Sequence, residues 1–344
     1  MFKSENIIRL FTFFYIILLS YLRVGAQDIH FSQYSSSPLN LNPATTGFFN
    51  GNTRIIFNHR NQWGSVTIPF LTFSGSVDFQ LFHNSKRGNA LSLGVLFNAD
   101  KAGDSKYSSI QGNLSVAYLK SLNKYNTHFI SGGIMGGYVQ NSIDYTALNF
   151  GNQYNGYTYD PSLFNGEDFT MNSFSYIDLS AGLFWFLQFA ENQSVDVGVA
   201  MFHLLPSKVS MMEDEKIILD KKYTLFCDLK LGVSETIDFT PKVLFMFQGT
   251  YIEIVYGLKT RIVKKLNYFE NVGMSLGIYS RHADAVILEI GLEYLNFNIG
   301  FSYDINYSDL DRASQAKGGY EISASYIFNK KKYRKIKEVP CPVF

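Results

Sequence analysis

Apolar and polar residues alternate with period two through most of this chain, a pattern that leaves room for little but β-structure. From Asn296 to Ile305 one parity holds Phe297, Ile299, Phe301, Tyr303 and Ile305, and the other holds Asn296, Asn298, Gly300, Ser302 and Asp304. The same template sets Leu71, Phe73, Val77, Phe79 and Leu81 against Thr72, Ser74, Ser76, Asp78 and Gln80. It recurs with Ile252, Ile254, Tyr256, Leu258 and Ile262 against Glu253, Lys259 and Arg261, and with Val286, Leu288, Ile290, Leu292 and Tyr294 against Glu289 and Glu293. About 14 strands are predicted, near 52–59, 69–81, 89–100, 107–120, 128–140, 174–188, 194–204, 222–232, 242–248, 250–263, 270–281, 284–294, 296–305 and 318–328. Helical periodicity is nearly absent.

Alternation alone does not say which face meets what. A soluble β-sandwich buries its apolar face, whereas an outer-membrane barrel turns that face to lipid and its polar face to a lumen. The barrel is favoured by strands of ten or more residues, long enough for tilted spans. It is also favoured by aromatics at strand ends, where membrane girdles belong: Tyr118, Tyr138, Tyr256, Tyr279, Tyr294 and Tyr303. The last strand ends on the aromatic Phe328. Composition agrees, with 16% aromatic and only 17% charged residues. A net charge of +1 argues against nucleic acid as a partner, and two cysteines cannot staple a disulfide scaffold. The predicted fold is all-β, a transmembrane antiparallel barrel of the outer membrane with outer-membrane lipid as its surroundings.

Four segments follow. Residues 1–26 read as a signal peptide, with Lys3 and Arg9 ahead of an apolar stretch from Leu10 to Leu22 and Val24-Gly25-Ala26 at the cleavage site. Residues 27–51 are polar and turn-rich, 52–328 form the barrel, and 329–344 form a basic tail. In that tail Lys330, Lys331, Lys332, Arg334, Lys335 and Lys337 face only Glu338, for a charge of +5. The rest of the chain after Ala26 carries −6. The tail is a solvated end or a docking peptide for an acidic periplasmic partner or peptidoglycan. Connections after odd-numbered strands are the long ones, notably Asn141–Ser173, which predicts an outward-facing rim there and both termini in the periplasm.

Chemistry-bearing motifs are few. Gly273-Met274-Ser275-Leu276-Gly277 matches G-x-S-x-G, but Ser275 falls mid-strand and not at a strand-to-helix elbow. The six histidines lack ligand spacing, and Cys227 and Cys341 form no metal motif. Asp304, Asp309 and Asp311 lack the calcium-loop pattern. Neither a catalytic residue, nor a cofactor site, nor a metal site is assigned. Glu253, Lys259, Arg261, Glu289, Glu293 and Asp304 sit on the polar parity as candidate lumen charges, either pairing to stiffen the barrel or lining a solute path.

Gln27-Asp28-Ile29-His30-Phe31-Ser32-Gln33-Tyr34, then Pro38, Leu41-Asn42-Pro43-Ala44 and Gly47, then Arg60-Asn61-Gln62-Trp63, resemble the amino-terminal signature of the PorP/SprF family. Leu148–Tyr154 and Asp178–Leu183 extend the likeness. The resemblance implies an outer-membrane, non-enzymatic component of the type IX secretion and gliding machinery of Bacteroidetes. It implies one of two roles: a SprF-type partner that exports or anchors a very large adhesin, or a PorP-type core component joined to a periplasmic ring or lipoprotein. The basic tail resembles the SprF type. The adhesin's carboxyl-terminal domain would then meet the outer loops, above all Asn141–Ser173. Asn42-Pro43-Ala44 is also similar to an element of FadL-type transporters, barrels of 14 strands whose amino-terminal segment plugs the lumen. That likeness implies a plug in residues 27–51 and keeps a FadL-like or porin-like transport barrel as the competing reading.

Overall fold

The computed structural model describes residues 28–328, apart from 66–67, 85–87, 168–170, 212–216, 268–269 and 309–313. The signal-peptide stretch, the basic tail, Asp309, Asp311 and Cys341 therefore lie outside the described residues.

Fourteen strands form one closed antiparallel barrel. They are β1 Thr53–Gln62, β2 Phe70–Asn84, β3 Asn89–Ala102, β4 Tyr107–Ser121, β5 His128–Ser142, β6 Ser173–Ala190 and β7 Gln193–Phe202. The second half comprises β8 Lys222–Gly232, β9 Ile237–Gln248, β10 Tyr251–Asn267, β11 Glu270–Arg281, β12 Ala285–Tyr294, β13 Phe297–Asn306 and β14 Lys317–Phe328. Each strand pairs with its sequence neighbours, and β1 closes the ring on β14 from Thr53 opposite Phe328 to Gln62 opposite Gly319. Closure removes every sheet edge, which is what allows a sheet to stand in hydrocarbon.

The two parities separate as the alternation requires. Leu114, Ile134, Ile177, Ile278 and Leu292 face outward and stay exposed, while Ser74, Asp78, Asn98, Ser115 and Ser302 face inward and are buried. Polar groups inside and apolar groups outside are the reverse of a soluble core. Tyr279 corrects one girdle assignment: it is 4% exposed and packs inside the barrel with Tyr34, Phe226 and Leu244. Its parity is shared with Ser275 and Arg281, so a tyrosine at a strand end is no proof of an outward face.

Connections after odd-numbered strands, including 143–172 and 203–221, gather at one end, here the long-loop rim. The other end, the short-turn rim, has connections as brief as 191–192 and 295–296.

Residues 28–52 run through the lumen from one rim to the other. At the long-loop rim the Asp28 amide donates to Oε1 of Gln248, the last residue of β9. At the short-turn rim the Asn52 amide donates to the Phe328 carbonyl. The two described ends of the chain thus lie at opposite rims, against the expectation of termini on one side. Loop lengths locate only the ends of β1 and β14; the segment ahead of β1 doubles back inside the barrel.

Candidate functional site: the luminal segment and the two rims

The luminal segment has almost no regular structure because it is held by the wall and not by its own ladder. A single helical turn, Pro38–Leu41, starts on proline, whose missing N–H is no loss at a first helical position. Asn42 is extended, and its side chain makes three bonds: Oδ1 accepts from the Ala44 amide at 2.8 Å, while Nδ2 donates to the carbonyls of Leu183 at 2.9 Å and Val199 at 3.1 Å. Asn42 therefore caps the turn Pro43–Thr45 and ties it to β6 and β7 together.

Glycine on the wall makes room for this seat. A Cβ at Gly133 would lie 2.6 Å from backbone atoms of Pro43 and Ala44, and one at Gly182 would lie 2.0 Å from Asn42 Oδ1. No side chain can occupy either position while the turn is in place. Lower down, Thr46 and Ser115 hydroxyls meet at 2.6 Å, and the Gly47 amide donates to Asp78 at 2.8 Å. Arg54 grips the same carboxylate at 3.0 and 2.7 Å. Gly47 has φ +73°, the left-handed region that glycine enters without penalty. Phe48 then packs among Phe129, Phe184 and Phe186.

Near the long-loop rim the attachment is ionic. The Asp28 carboxylate meets His203 Nε2 at 2.5 Å and Lys222 Nζ at 3.2 Å, and the other ring nitrogen of His203 lies 3.1 Å from Asp178. Burial works against charge on His203, but the hydrogen bonds and charges of Asp178 and Asp28 overcome it and lift the imidazole to about 9. Burial also disfavours charge on Asp28, yet Lys222 and His203 hold its carboxyl well below the usual range. His30 behaves oppositely: burial, with Arg60 and Arg281 beside it, pushes it to about 4 against the pull of Glu253.

Beneath this latch, two guanidinium groups serve three buried carboxylates. Arg281 reaches Asp304 at 2.9 Å and Glu253 at 3.7 Å, and Arg60 reaches Glu321 at 3.1 Å and Asp304 at 3.7 Å. The carboxylates also grasp the segment's backbone, since Glu321 accepts the Ser32 and Gln33 amides at 2.7 and 2.9 Å. Arg60 donates in turn to the His30 carbonyl, and Arg281 to the Ser32 hydroxyl. Charges taken out of water need partners of this kind, and here each partner also positions the segment.

The candidate lumen charges all face inward and all have partners. Glu253 and Asp304 belong to the buried cluster. Lys259 meets Glu289 at 2.7 Å, while Arg261 meets Glu293 at 2.6 Å and Asp238 at 3.3 Å. Lys259 and Glu289 stand two strands apart with Gly277 registered between them, and the Tyr279 ring takes the space that a side chain at 277 would need. These outer pairs keep partial contact with water. In the signature Arg60-Asn61-Gln62-Trp63, only Arg60 joins the cluster. Asn61 and Gln62 finish the β1 ladder, and Trp63, at φ 56°, packs on Phe70. Arg281, Glu321, His203 and Lys222 were not among the sequence candidates; the inward parity of Ser275 would have pointed to Arg281. Ser275 lies in the middle of a continuous ladder between Arg261 and Gly291, so no nucleophile elbow forms.

The 143–172 connection is held by its own side chains. Gln153, buried, donates to the Pro161 and Leu163 carbonyls and accepts from the Phe150 amide and the Tyr159 hydroxyl. Tyr154 and Tyr159 form an isolated antiparallel bridge, and Asn155 accepts the Tyr157 and Thr158 amides inside it. Tyr157 and Phe164 project from this frame at 92% and 79% exposure.

Among the described residues no helix is long and apolar enough to cross a membrane. The crossing elements are strands, and a closed 14-stranded barrel with an apolar exterior, a charged interior and an amino-terminal luminal segment defines an outer-membrane β-barrel protein. Similar solved structures include the CymD monoaromatic hydrocarbon channel, at 10% identity and TM-score 0.51, with 89% of this chain and 95% of that one covered. The Ralstonia pickettii toluene transporter TbuX gives 9% identity and TM-score 0.51 over 86% and 94%. A Pseudomonas aeruginosa FadL homologue gives 9% and 0.46 over 84% and 93%. At such identities the likeness shows the fold alone. No curated protein matches. The family model "Type IX secretion system membrane protein PorP/SprF" matches residues 24–326, and the chain belongs to that family.

Proposed function

We propose that this protein is a non-enzymatic, plugged barrel of the type IX machinery that exports or anchors a large secreted adhesin at the cell surface. The observation that carries the reading is the luminal segment, bonded to the wall from Asp28 to Asn52, which turns the lumen from a path into a support. With the pore filled, the surfaces left for work are the rims. The long-loop rim faces outward and offers Asn141–Ser173 to the adhesin's carboxyl-terminal domain. The short-turn rim, with the +5 tail after Phe328, faces the periplasm and a ring or lipoprotein component. The signal peptide is removed after Ala26, which leaves the new amino terminus beside the Asp28 latch.

Deletion of the gene tests this. Loss of one large adhesin from the surface, with bulk type IX secretion intact, is the expected result. Loss of all type IX secretion would move the protein to the PorP-type core role. Unchanged adhesin display, together with ion or solute flux through the purified barrel, would instead establish a transport barrel.

A further inference from the structure

At the long-loop rim a carboxylate of the luminal segment sits between two cations that belong to the wall. His203 Nε2 and Lys222 Nζ converge on the same Asp28 oxygen, Oδ2, at 2.5 and 3.2 Å. Each cation also has a partner outside the segment: Asp178 of β6 lies 3.1 Å from His203, and the Phe202 ring centre lies 4.8 Å from Lys222 Nζ. From this geometry we propose that His203 and Lys222 form a binding site for a free carboxylate. Asp28 fills it as an internal ligand, and an external carboxylate that reaches the rim displaces Asp28 and frees the outer end of the segment. The site depends on the seated segment and not on which partner the rims carry, so the deletion experiment above and the measurements below fail separately.

Three features support it. First, the wall aims His203 by itself. This residue has φ 58°, the left-handed region that side-chain-bearing residues rarely enter, and the next amide, Leu204, donates to the Leu179 carbonyl at 2.8 Å. Backbone strain of this kind persists where neighbouring bonds enforce it, and here neither the Leu179 bond nor the Asp178 contact involves the segment. Second, the charges balance one for one. His203 and Lys222 face Asp28 and Asp178, so departure of Asp28 leaves one buried cation in excess. A carboxylate monoanion restores neutrality, whereas a phosphate dianion overshoots it and is repelled by Asp178. Third, the site is within reach. A half-open hollow lined by His30, Lys222, Gln248 and Tyr251 lies against Asp28, and residues 28–30 are half-buried where 31–34 are buried. After the Asp28 contacts, the next holds on the segment are those of Arg60 and Glu253 on His30, so release of Asp28 breaks no bond of the Asn42 seat.

The test uses the full-length protein in detergent micelles, labelled with nitrogen-15 histidine, with the His203 signal assigned through His203→Gln. Sodium formate is expected to shift that signal saturably in Asp28→Ala. In wild type the tethered carboxylate competes, and formate is expected to bind at least about tenfold more weakly. Sodium chloride at equal ionic strength is expected to leave the signal in place. Lys222→Met added to Asp28→Ala is expected to weaken formate binding at least about tenfold. Release is read with Asp28 present, in a Cys227→Ser/Cys341→Ser background. There, maleimide labelling of Ile29→Cys is expected to run at least about twofold faster in formate than in chloride, while Thr45→Cys in the inner seat stays protected. Any one of four results overturns the proposal: no saturable shift in Asp28→Ala, an equal shift with chloride, undiminished formate binding after Lys222→Met, or labelling of Ile29→Cys indifferent to formate. A shift with inorganic phosphate and none with formate overturns it in favour of a phosphate site. Acetyl-pentaalanine, as the free acid and as the carboxamide, separates the sources. A response to formate and to the free acid but not the carboxamide supports chain-terminal carboxylates as ligands, and a response to formate alone supports small acids.

Discussion

Gly132 and Gly133 are neighbours on β5 that point to opposite sides of the wall, and together they make a sharp test of the closed lumen. A side chain at Gly133 must displace the Pro43–Ala44 backbone, because the 2.6 Å approach involves main-chain atoms that cannot swing aside. Overpacking of this kind costs about 1–3 kcal/mol, and Gly133→Leu should fall at the upper end. At about 1.4 kcal/mol per factor of ten, the population with the segment unseated rises roughly 5- to 150-fold. Gly132→Leu adds the same side chain toward lipid, where the nearest atom, Leu183 Cδ2, is 3.7 Å from the built Cβ. Conductance of single barrels in planar bilayers should show rare openings in wild type and in Gly132→Leu, and frequent openings in Gly133→Leu. A folded Gly133→Leu barrel as quiet as wild type would refute the idea that this turn closes the lumen. Equal opening in both variants would show general damage to β5.

Other expectations follow from the same contacts. Asn42→Ala removes three hydrogen bonds and should loosen residues 42–46 by about 2–3 kcal/mol, seen as faster amide exchange there with the strands unaffected. His203 rises from 6.5 to about 9, so protonation stabilises the latch by about 3 kcal/mol. With the folded value raised, that stability is complete below about 6.5 and fades as pH climbs through 9. Asp28, shifted the other way, loses its share only in acid, so protease access to residues 28–33 should increase between pH 7 and 10. Removal of Arg281 leaves Asp304 with Arg60 at 3.7 Å as its remaining guanidinium and takes the one at 3.7 Å from Glu253, and should cost about 3 kcal/mol in urea unfolding. Arg261→Met, at pairs open to water, should cost no more than about 1 kcal/mol.

The barrel was largely legible because lipid and lumen impose a period of two on every strand. Predicted and observed strands differ mostly at their ends, as in the ninth, which begins at Ile237 and not at 242. Pro241 hides that start, since a proline inside a run suggests a break. Partners were less legible than faces. Parity put Lys259 and Glu289 inside, but only three-dimensional register across Gly277 made them a pair. Tyr279 was misread because residue type outweighed parity, and the same slip concealed Arg281. The direction of the luminal segment left no trace in the sequence, because a chain held by a wall repeats no period of its own. The family motif marked residues such as Asn42 without saying that Asn42 bonds two strands at once.

The bonds from Glu321 to the amides of Ser32 and Gln33 span 289 and 288 positions, nearly the whole described chain. Until β14 arrives, those amides lack the acceptor they have in the finished barrel. When it does arrive, it completes the ring against β1 and takes hold of the segment in the same motion. Closing the cylinder and completing this part of the segment's attachment therefore draw on the same contacts between sequence-distant parts, the kind that form slowly. An assembly factor that catalyses the addition of β14 would, by the same act, supply the acceptor for the Ser32 and Gln33 amides.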